Sequence, residues 1–192
     1  SSKVYVNAGI NGDLAWNLNQ RLENALKCNP DYITILIGTN DAMGSQKIKF
    51  IQEYYVTNKG LPQLPSMDWY KKELESMIQY IKSHSNAKIA ISTLPWIGER
   101  ASDDIISVVK EYNNIIKNMA RKYDLILIDF FSHLSKFIGN NNASHPYETT
   151  QWRTLRVLRA IILHYVFSQN WNQIGKKYGL KALCDYIHLN ED

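Results

Sequence analysis

The segment YITILIGTND, Tyr32–Asp41, decides the fold that the sequence predicts. Its first six residues form a continuous apolar and β-branched run, which is typical of a strand buried on both faces. The run stops at Gly38 and is followed by Asn40 and Asp41, small polar residues that suit a loop. Strands of this kind occur in parallel sheets, so the segment favours an α/β protein.

Other strands and helices are predicted on both sides of this segment. The further strands are expected at residues 3–8, 87–94 and 125–129. Helices are expected at residues 13–28, 67–83, 102–123 and 152–167, the first with Asp13 as its N-cap. The alternation of strands and helices predicts a parallel sheet with helices on both of its faces.

The composition is that of an ordinary globular domain. The 192 residues suffice for one domain with a sizeable core, and 45% of them are hydrophobic and 21% charged. No apolar run reaches the ~18 residues that suggest a membrane span. The net charge of +4 is mild and is not arranged in blocks, so it does not indicate nucleic acid. Cys28 and Cys184 lack metal-type spacing, which leaves buried thiols and a disulfide open.

The loops at the carboxyl ends of the predicted strands carry groups suited to acyl transfer, and ligands of such sheets bind at these ends. Gly12 offers a backbone N–H that no Cβ obstructs, and Asn40 offers a side-chain amide. Asp185 and His188 lie three residues apart, so the carboxylate can orient the imidazole ring. Two neutral donors and an oriented histidine indicate an oxyanion hole with a general base.

Three segments resemble, in order, the second, third and fifth conserved blocks of the SGNH hydrolases, also called GDSL esterases/lipases. They are NAGINGD (7–13), IGTND (37–41) and DYIHLN (185–190). Residues 68–82 and 111–129 also resemble elements of that family. The resemblance implies a three-layer α/β/α fold with a flavodoxin-like parallel sheet. It also implies hydrolysis of acyl esters through an acyl-enzyme intermediate, with no cofactor and no metal.

The resemblance assigns roles to individual residues. It implies that Gly12 and Asn40 donate to the oxyanion, that His188 is the base and that Asp185 orients it. Asp41, Met43 and Trp96 are predicted to contact the substrate. The expected partner is a small-molecule, carbohydrate or lipid ester. Nucleic acid is not expected, and the sequence indicates neither an oligomeric state nor a compartment.

The family's nucleophile, the serine of a Gly-Asp-Ser block, has no counterpart in the sequence. Ser1 and Ser2 precede the first predicted strand, about 20 Å from its exit, too far to reach the predicted base. We therefore expect residues 1–192 to form a single SGNH-like domain, truncated at both ends, with the nucleophile upstream. A catalytically inactive SGNH-like binding protein is the alternative.

Two segments are longer than the corresponding connections of the family. Residues 42–66 form either a packed surface loop or a lid over the site. Within them, residues 44–66, with Gly60, Pro62 and Pro65, are predicted to be irregular. Residues 131–184 include a predicted helix with arginines on one edge, which is either solvated or binds an anionic substrate or membrane surface. A less favoured alternative is a helix-turn-helix at residues 170–187, which would make the chain a nucleic-acid-binding module.

Overall fold

A computed structural model of the protein describes residues 4–46, 48–139, 141, 143, 147 and 151–190, with the backbone alone at 151–154. Within these ranges the strands are β1 (Tyr32–Ile35), β2 (Lys88–Ser92) and β3 (Ile126–Ile128). The first six helices are α1 (Ala15–Gln20), α2 (Leu22–Leu26), α3 (Thr39–Gly44), α4 (Lys49–Lys59), α5 (Met67–His84) and α6 (Asp104–Tyr123). The remaining helices are α7 (Phe130–Ile138), α8 (Gln151–Tyr165) and α9 (Trp171–Lys177).

The strands form a sheet in the order β1-β2-β3. β1 and β2 are parallel, and their register pairs Tyr32 with Lys88 and Ile35 with Ile91. Helices separate the strands along the chain, as parallel neighbours require. The predicted α/β class is therefore confirmed.

The chain divides into two compact units. The first consists of Ser1–Ser92 and Ile115–Leu127, and the second of Thr93–Asn114 and Ile128–Asp192. The expectation of a single domain over residues 1–192 stays a prediction.

The core of the first unit is centred on α5. Its buried side chains follow the amphipathic pattern that predicted this helix, and they are Leu74, Met77, Ile78 and Ile81. Ser66 caps the helix, because its hydroxyl accepts a hydrogen bond from Trp69 N at 3.2 Å. The predicted helix of residues 67–83 is confirmed.

Two strand predictions in this unit are wrong. Residues 4–8 do not form a strand, and residues 1–3 lie outside the described chain. Val4 and Tyr5 are exposed, and no strand within the described ranges pairs with them. β1 is not buried on both faces, since Tyr32 is 68% exposed. It ends the sheet order among the described strands, so its side chains have fewer neighbours than those of a central strand.

Two loop and helix predictions also need correction. The predicted helix of residues 13–28 is two short helices, α1 and α2, which meet at Arg21. Asp13 does not cap α1; its carboxylate instead pairs with the side chains of Arg21 and Lys59. Residues 44–66 are not irregular throughout, because they contain the 11-residue helix α4, which Gly60 ends in a left-handed conformation at φ +61°.

In the second unit the loop after β2 is fixed to α6. The buried side chain of Asn113 accepts from Leu94 N at 2.7 Å and donates to Leu94 O at 3.3 Å. The predicted helix of residues 102–123 is confirmed as α6, and that of 152–167 as α8. The helix-turn-helix alternative is wrong, because within the described chain α9 is followed by turns and a Leu183–Leu189 bridge rather than by a second helix.

Candidate active site

The four predicted catalytic residues are divided between the two units. Gly12 and Asn40 belong to the first unit, and Asp185 and His188 belong to the second. The structure brings Asp185 and His188 together, and it brings Asn40 to the residue that follows Gly12. The convergence of both pairs on one ester stays a prediction.

Asn40 lies in the first turn of α3, two residues after Gly38. Gly38 has φ +126°, and a Cβ there would lie 2.8 Å from the ring of Tyr70, so the position requires glycine. The carboxamide of Asn40 is held at both ends. Its Nδ2 donates to Asp13 O at 3.0 Å, and its Oδ1 accepts from the hydroxyl of Tyr55 at 2.9 Å. This arrangement fixes the amide orientation and leaves Nδ2 one further hydrogen to donate.

Gly12 has φ +78°, a conformation that glycine adopts without steric cost. A Cβ at this position would lie 2.7 Å from Cε of Lys59, so the lysine side chain lies directly over the glycine. No residue that the structure describes accepts a hydrogen bond from the backbone N–H of Gly12. The role of this N–H as an oxyanion donor stays a prediction.

A buried carboxylate anchors the turn beside Gly12. Asp13 accepts from Arg21 Nε at 3.1 Å and Nη2 at 2.9 Å, and its other oxygen lies 3.3 Å from Nζ of Lys59. The same Nζ donates to Asn11 O at 2.5 Å. Lys59 and Arg21 thus tie the turn that carries Gly12 to α4 and to the start of α2. The sequence does not predict either contact, because Lys59 is 46 positions from Asp13 and because Arg21, 8 positions away, belongs to no recognisable motif.

Asp41 and Met43 follow Asn40 on α3 and are both buried. The carboxylate of Asp41 accepts from Ala15 N at 3.3 and 3.1 Å, at the start of α1. Burial raises the pKa of Asp41 to about 7, against the opposing effect of the Ala15 hydrogen bond and with a contribution from the charge of Glu73. The predicted contact of both residues with substrate stays a prediction.

Asp185 and His188 form a hydrogen-bonded pair in the second unit. Nδ1 of His188 lies 2.7 Å from Oδ2 of Asp185. The other carboxylate oxygen accepts from Ile187 N at 3.1 Å and from His188 N at 2.8 Å. The Asp185 side chain is 5% exposed and that of His188 is 60% exposed. The carboxylate is therefore fixed inside the protein while the ring reaches solvent.

The pair shifts the pKa of each partner. The hydrogen bond to Asp185 raises the pKa of His188, and burial opposes this only in part. Burial disfavours the charge of Asp185, but the hydrogen bonds from the His188 ring and from two backbone N–H groups lower its pKa below the usual value. A neutral His188 donates from Nδ1, so Nε2 is free to accept a proton; within the described residues nothing bonds to Nε2.

Trp96, the third predicted substrate contact, is buried in the second unit. Its ring stacks on Phe131 with centroids 5.4 Å apart, and its Nε1 donates to the hydroxyl of Ser135 at 2.9 Å. The indole is thus fixed by α7 in this structure. Its contact with substrate stays a prediction.

Two other features bear on possible ligands. Among the described residues, no three His, Cys, Asp or Glu side chains form a group that could hold a metal ion.

A cavity of about 320 Å³ lies in the first unit, beside the amino-terminal ends of β2 and β3. Gly38 and Asn40 follow the carboxyl end of β1. The cavity is therefore at the edge of the sheet where α/β proteins do not bind their ligands. Over the described part of the chain, no helix combines the length and hydropathy needed to cross a bilayer.

Comparison with known proteins identifies acetylxylan esterases as relatives. One from Geobacillus stearothermophilus is 25% identical over 125 residues, which cover 65% of this chain and 52% of that enzyme. This chain thus spans about half the length of the curated relative. The crystal structure of the acetyl xylan esterase AlAXEase matches with 26% identity and a TM-score of 0.55, over 68% of this chain and 60% of that one.

Crystal structures of an acetylxylan esterase from Geobacillus stearothermophilus show the same fold. One matches with 23% identity and a TM-score of 0.58, over 68% of this chain and 56% of that one. A serine-to-alanine catalytic mutant matches over 95% of this chain and 74% of that one, with 19% identity and a TM-score of 0.61. Two further catalytic mutants replace an aspartate and a histidine that lie three positions apart.

The family itself follows from a match over nearly the whole sequence. The model of the GDSL-like Lipase/Acylhydrolase family matches residues 1–191. The match includes all four predicted catalytic residues and the strands and helices that carry them. The chain belongs to the GDSL-like lipase/acylhydrolase family.

Proposed function

We propose that the protein is a serine-type ester hydrolase that removes acetyl groups from carbohydrates. The observation that carries the proposal is the Asp185–His188 pair, in which a buried carboxylate holds a solvent-exposed imidazole at 2.7 Å. Such a pair is what a general base for acyl transfer requires. The names of the relatives, which are acetylxylan esterases, support acetylated sugars over lipid esters.

In the proposed mechanism a serine hydroxyl attacks the ester carbonyl while Nε2 of His188 takes its proton. Asp185 holds the ring and stabilises the imidazolium that forms. The backbone N–H of Gly12 and the amide of Asn40 donate to the oxyanion. His188 then returns the proton to the leaving alcohol, and the acyl-serine remains. Water attacks the acyl-serine with His188 again as base, and the carboxylic acid and the serine are released.

Among the relatives, the main support for His188 as base and Asp185 as its partner is the three-residue spacing between them. The Geobacillus enzyme has catalytic mutants at an aspartate and at a histidine three positions later, the same separation as here. Residues 1–192 contain no Gly-Asp-Ser segment, and the proposal does not assign the nucleophile among them.

Acetate release from acetylated xylan by the complete protein tests the activity, with p-nitrophenyl acetate as a second substrate. We expect turnover that His188→Ala abolishes without loss of the folded state. The control is His133→Ala, which removes an exposed histidine of α7 in the same unit. Equal activity of the His188 variant and the wild type would remove His188 from the role of base.

Labelling with a fluorophosphonate, which reacts with activated serines, identifies the nucleophile by mass spectrometry of the labelled peptide. We expect one labelled serine in the wild-type protein and a much slower reaction in His188→Ala. A complete protein that binds acetylated xylo-oligosaccharides but neither takes the label nor releases acetate would instead be an inactive binding protein of the same family.

A further inference from the structure

The second unit contains a fully buried carboxylate that the proposed mechanism does not use. Glu99 lies in the loop after β2 and is 0% exposed. Its Oε1 accepts from Ala182 N at 2.7 Å and from Leu183 N at 2.8 Å. Its Oε2 accepts from Lys181 N at 2.8 Å and from Asn141 Nδ2 at 2.7 Å. Four donors thus compensate the cost of burying this charge.

The three backbone donors belong to consecutive residues, Lys181, Ala182 and Leu183, which lie five to seven positions before the candidate base His188. Residues 182–190 form a tight hairpin, in which Cys184 N donates to His188 O at 2.9 Å and Asn190 N donates to Ala182 O at 2.9 Å. Asp185 and His188 lie at its tip. Glu99 therefore binds the first arm of the hairpin that presents the pair.

The residue before Glu99 binds the same hairpin at its tip. Gly98 N donates to Tyr186 O at 2.7 Å. Tyr186 has φ +76°, an unfavourable conformation for a residue with a Cβ, which persists only where the surroundings hold it. Gly98 itself has φ +72°, and a Cβ there would lie 2.9 Å from Cβ of Tyr147. The Gly98–Glu99 segment thus fixes both the arm and the tip of the hairpin.

We propose that Glu99 is a positioning residue for the catalytic base. It holds the 181–183 backbone so that Asp185 and His188 keep their 2.7 Å hydrogen bond. This inference rests on the proposed function, because it assigns Glu99 to the same reaction. Without the carboxylate, three adjacent N–H groups lose their acceptor, and the hairpin can relax away from the geometry that raises the pKa of His188.

The test compares Glu99→Gln with Glu111→Gln, which makes the same change at an exposed glutamate of α6 in the same unit. Gln retains one oxygen acceptor but turns an NH₂ group towards donors. In the complete protein we expect Glu99→Gln to lower kcat by about 10- to 100-fold with KM changed less than about 2-fold. The acid limb of its pH–rate profile should move to lower pH, towards the ordinary histidine pKa of ~6.5. Glu111→Gln should match the wild type.

A second measurement and a second variant keep the proposal testable if Glu99→Gln folds poorly. Asn141→Ala removes one of the four donors, and it should give a smaller shift of the same sign. The ring pKa of His188, followed by NMR titration, reports the positioning without any substrate. A wild type inactive on all esters would overturn the proposed function, and the titration would still test Glu99. A His188 pKa and pH–rate profile unchanged in both variants would overturn the positioning role.

Discussion

Nδ1 of His188 lies 2.7 Å from Oδ2 of Asp185, and the two side chains differ sharply in exposure, at 60% for the histidine and 5% for the aspartate. The carboxylate is fixed by two backbone N–H groups within the same turn. The ring is therefore oriented from inside while its second nitrogen faces solvent.

Replacing Asp185 by Asn should affect both rate and pH dependence. The hydrogen bond to Asp185 raises the pKa of His188, and the base must be neutral, so wild-type activity should be lost as pH falls through a pKa above ~6.5. In Asp185→Asn this acid limb should move to lower pH, and kcat should fall by about 10³- to 10⁴-fold. Steady-state kinetics between about pH 5 and 9 measure both effects. An unmoved acid limb would contradict the role of Asp185.

The orientation of Asn40 by Tyr55 predicts a graded pair of effects. Asn40→Ala should lower kcat by about 10²- to 10³-fold, because it removes the side-chain amide proposed as an oxyanion donor. Tyr55→Phe removes only the hydroxyl that donates to Asn40 Oδ1 at 2.9 Å, so its effect should be smaller and of the same kind. Tyr54→Phe at the exposed neighbouring position is the control. If Asn40→Ala changed KM alone, Asn40 would not be an oxyanion donor.

The buried carboxyl of Asp41 should make stability depend on pH. Its folded-state pKa, about 7, is higher than the ~3.9 of an unfolded aspartate. The protonated carboxyl therefore contributes its full stabilisation of the folded state below pH ~3.9, and this stabilisation is lost as pH rises through about 7. Asp41→Asn has no carboxyl to ionise, so the Tm of this variant should fall less than that of the wild type between pH 4 and 8. Asp31→Asn, at an exposed position, should leave the profile unchanged.

Lys59 should contribute to both stability and rate. Lys59→Met removes the contact with the Asp13 carboxylate at 3.3 Å and the hydrogen bond to Asn11 O, while Arg21 still pairs with Asp13. We expect a loss of about 1–3 kcal/mol in unfolding free energy and a lower kcat, because the turn of Gly12 loosens. Lys49→Met is the control, because the Lys49 side chain is 89% exposed. Denaturant unfolding and esterase kinetics check the two parts; a stable variant with normal kcat would show that Gly12 needs no such support.

Local patterns predicted the elements whose neighbours lie within the described chain. The apolar stripe of α5 and the β-branched run of β2 can be read from the sequence because each is packed as its pattern requires. The strand at residues 3–8 has an equally good pattern but no partner within the described ranges, and a strand forms only by pairing. The sequence does not predict α4, because Gly60, Pro62 and Pro65 favour irregular structure across the segment, whereas in the structure Gly60 ends the helix and both prolines follow it.

In the candidate site too, contacts between residues close in the sequence can be predicted from it, whereas contacts between distant residues cannot. The Asp185–His188 pair is local, with a spacing of three, and both the spacing and the family resemblance predicted it. Tyr55 and Glu99 bind residues 15 and more than 80 positions away, respectively, so no local pattern reveals them. Such contacts depend on how the chain folds back on itself.

The hydrogen bonds between Glu99 and the backbone of residues 181–183 limit which substitutions this hairpin can accept during evolution. The carboxylate binds main-chain N–H groups, which every amino acid except proline possesses. Lys181, Ala182 and Leu183 can therefore exchange for other residues that fit their space, whereas proline at any of the three removes a donor. Related proteins with the same contact should have a glutamate or aspartate in the loop after β2, and they should lack proline at the positions that correspond to 181–183.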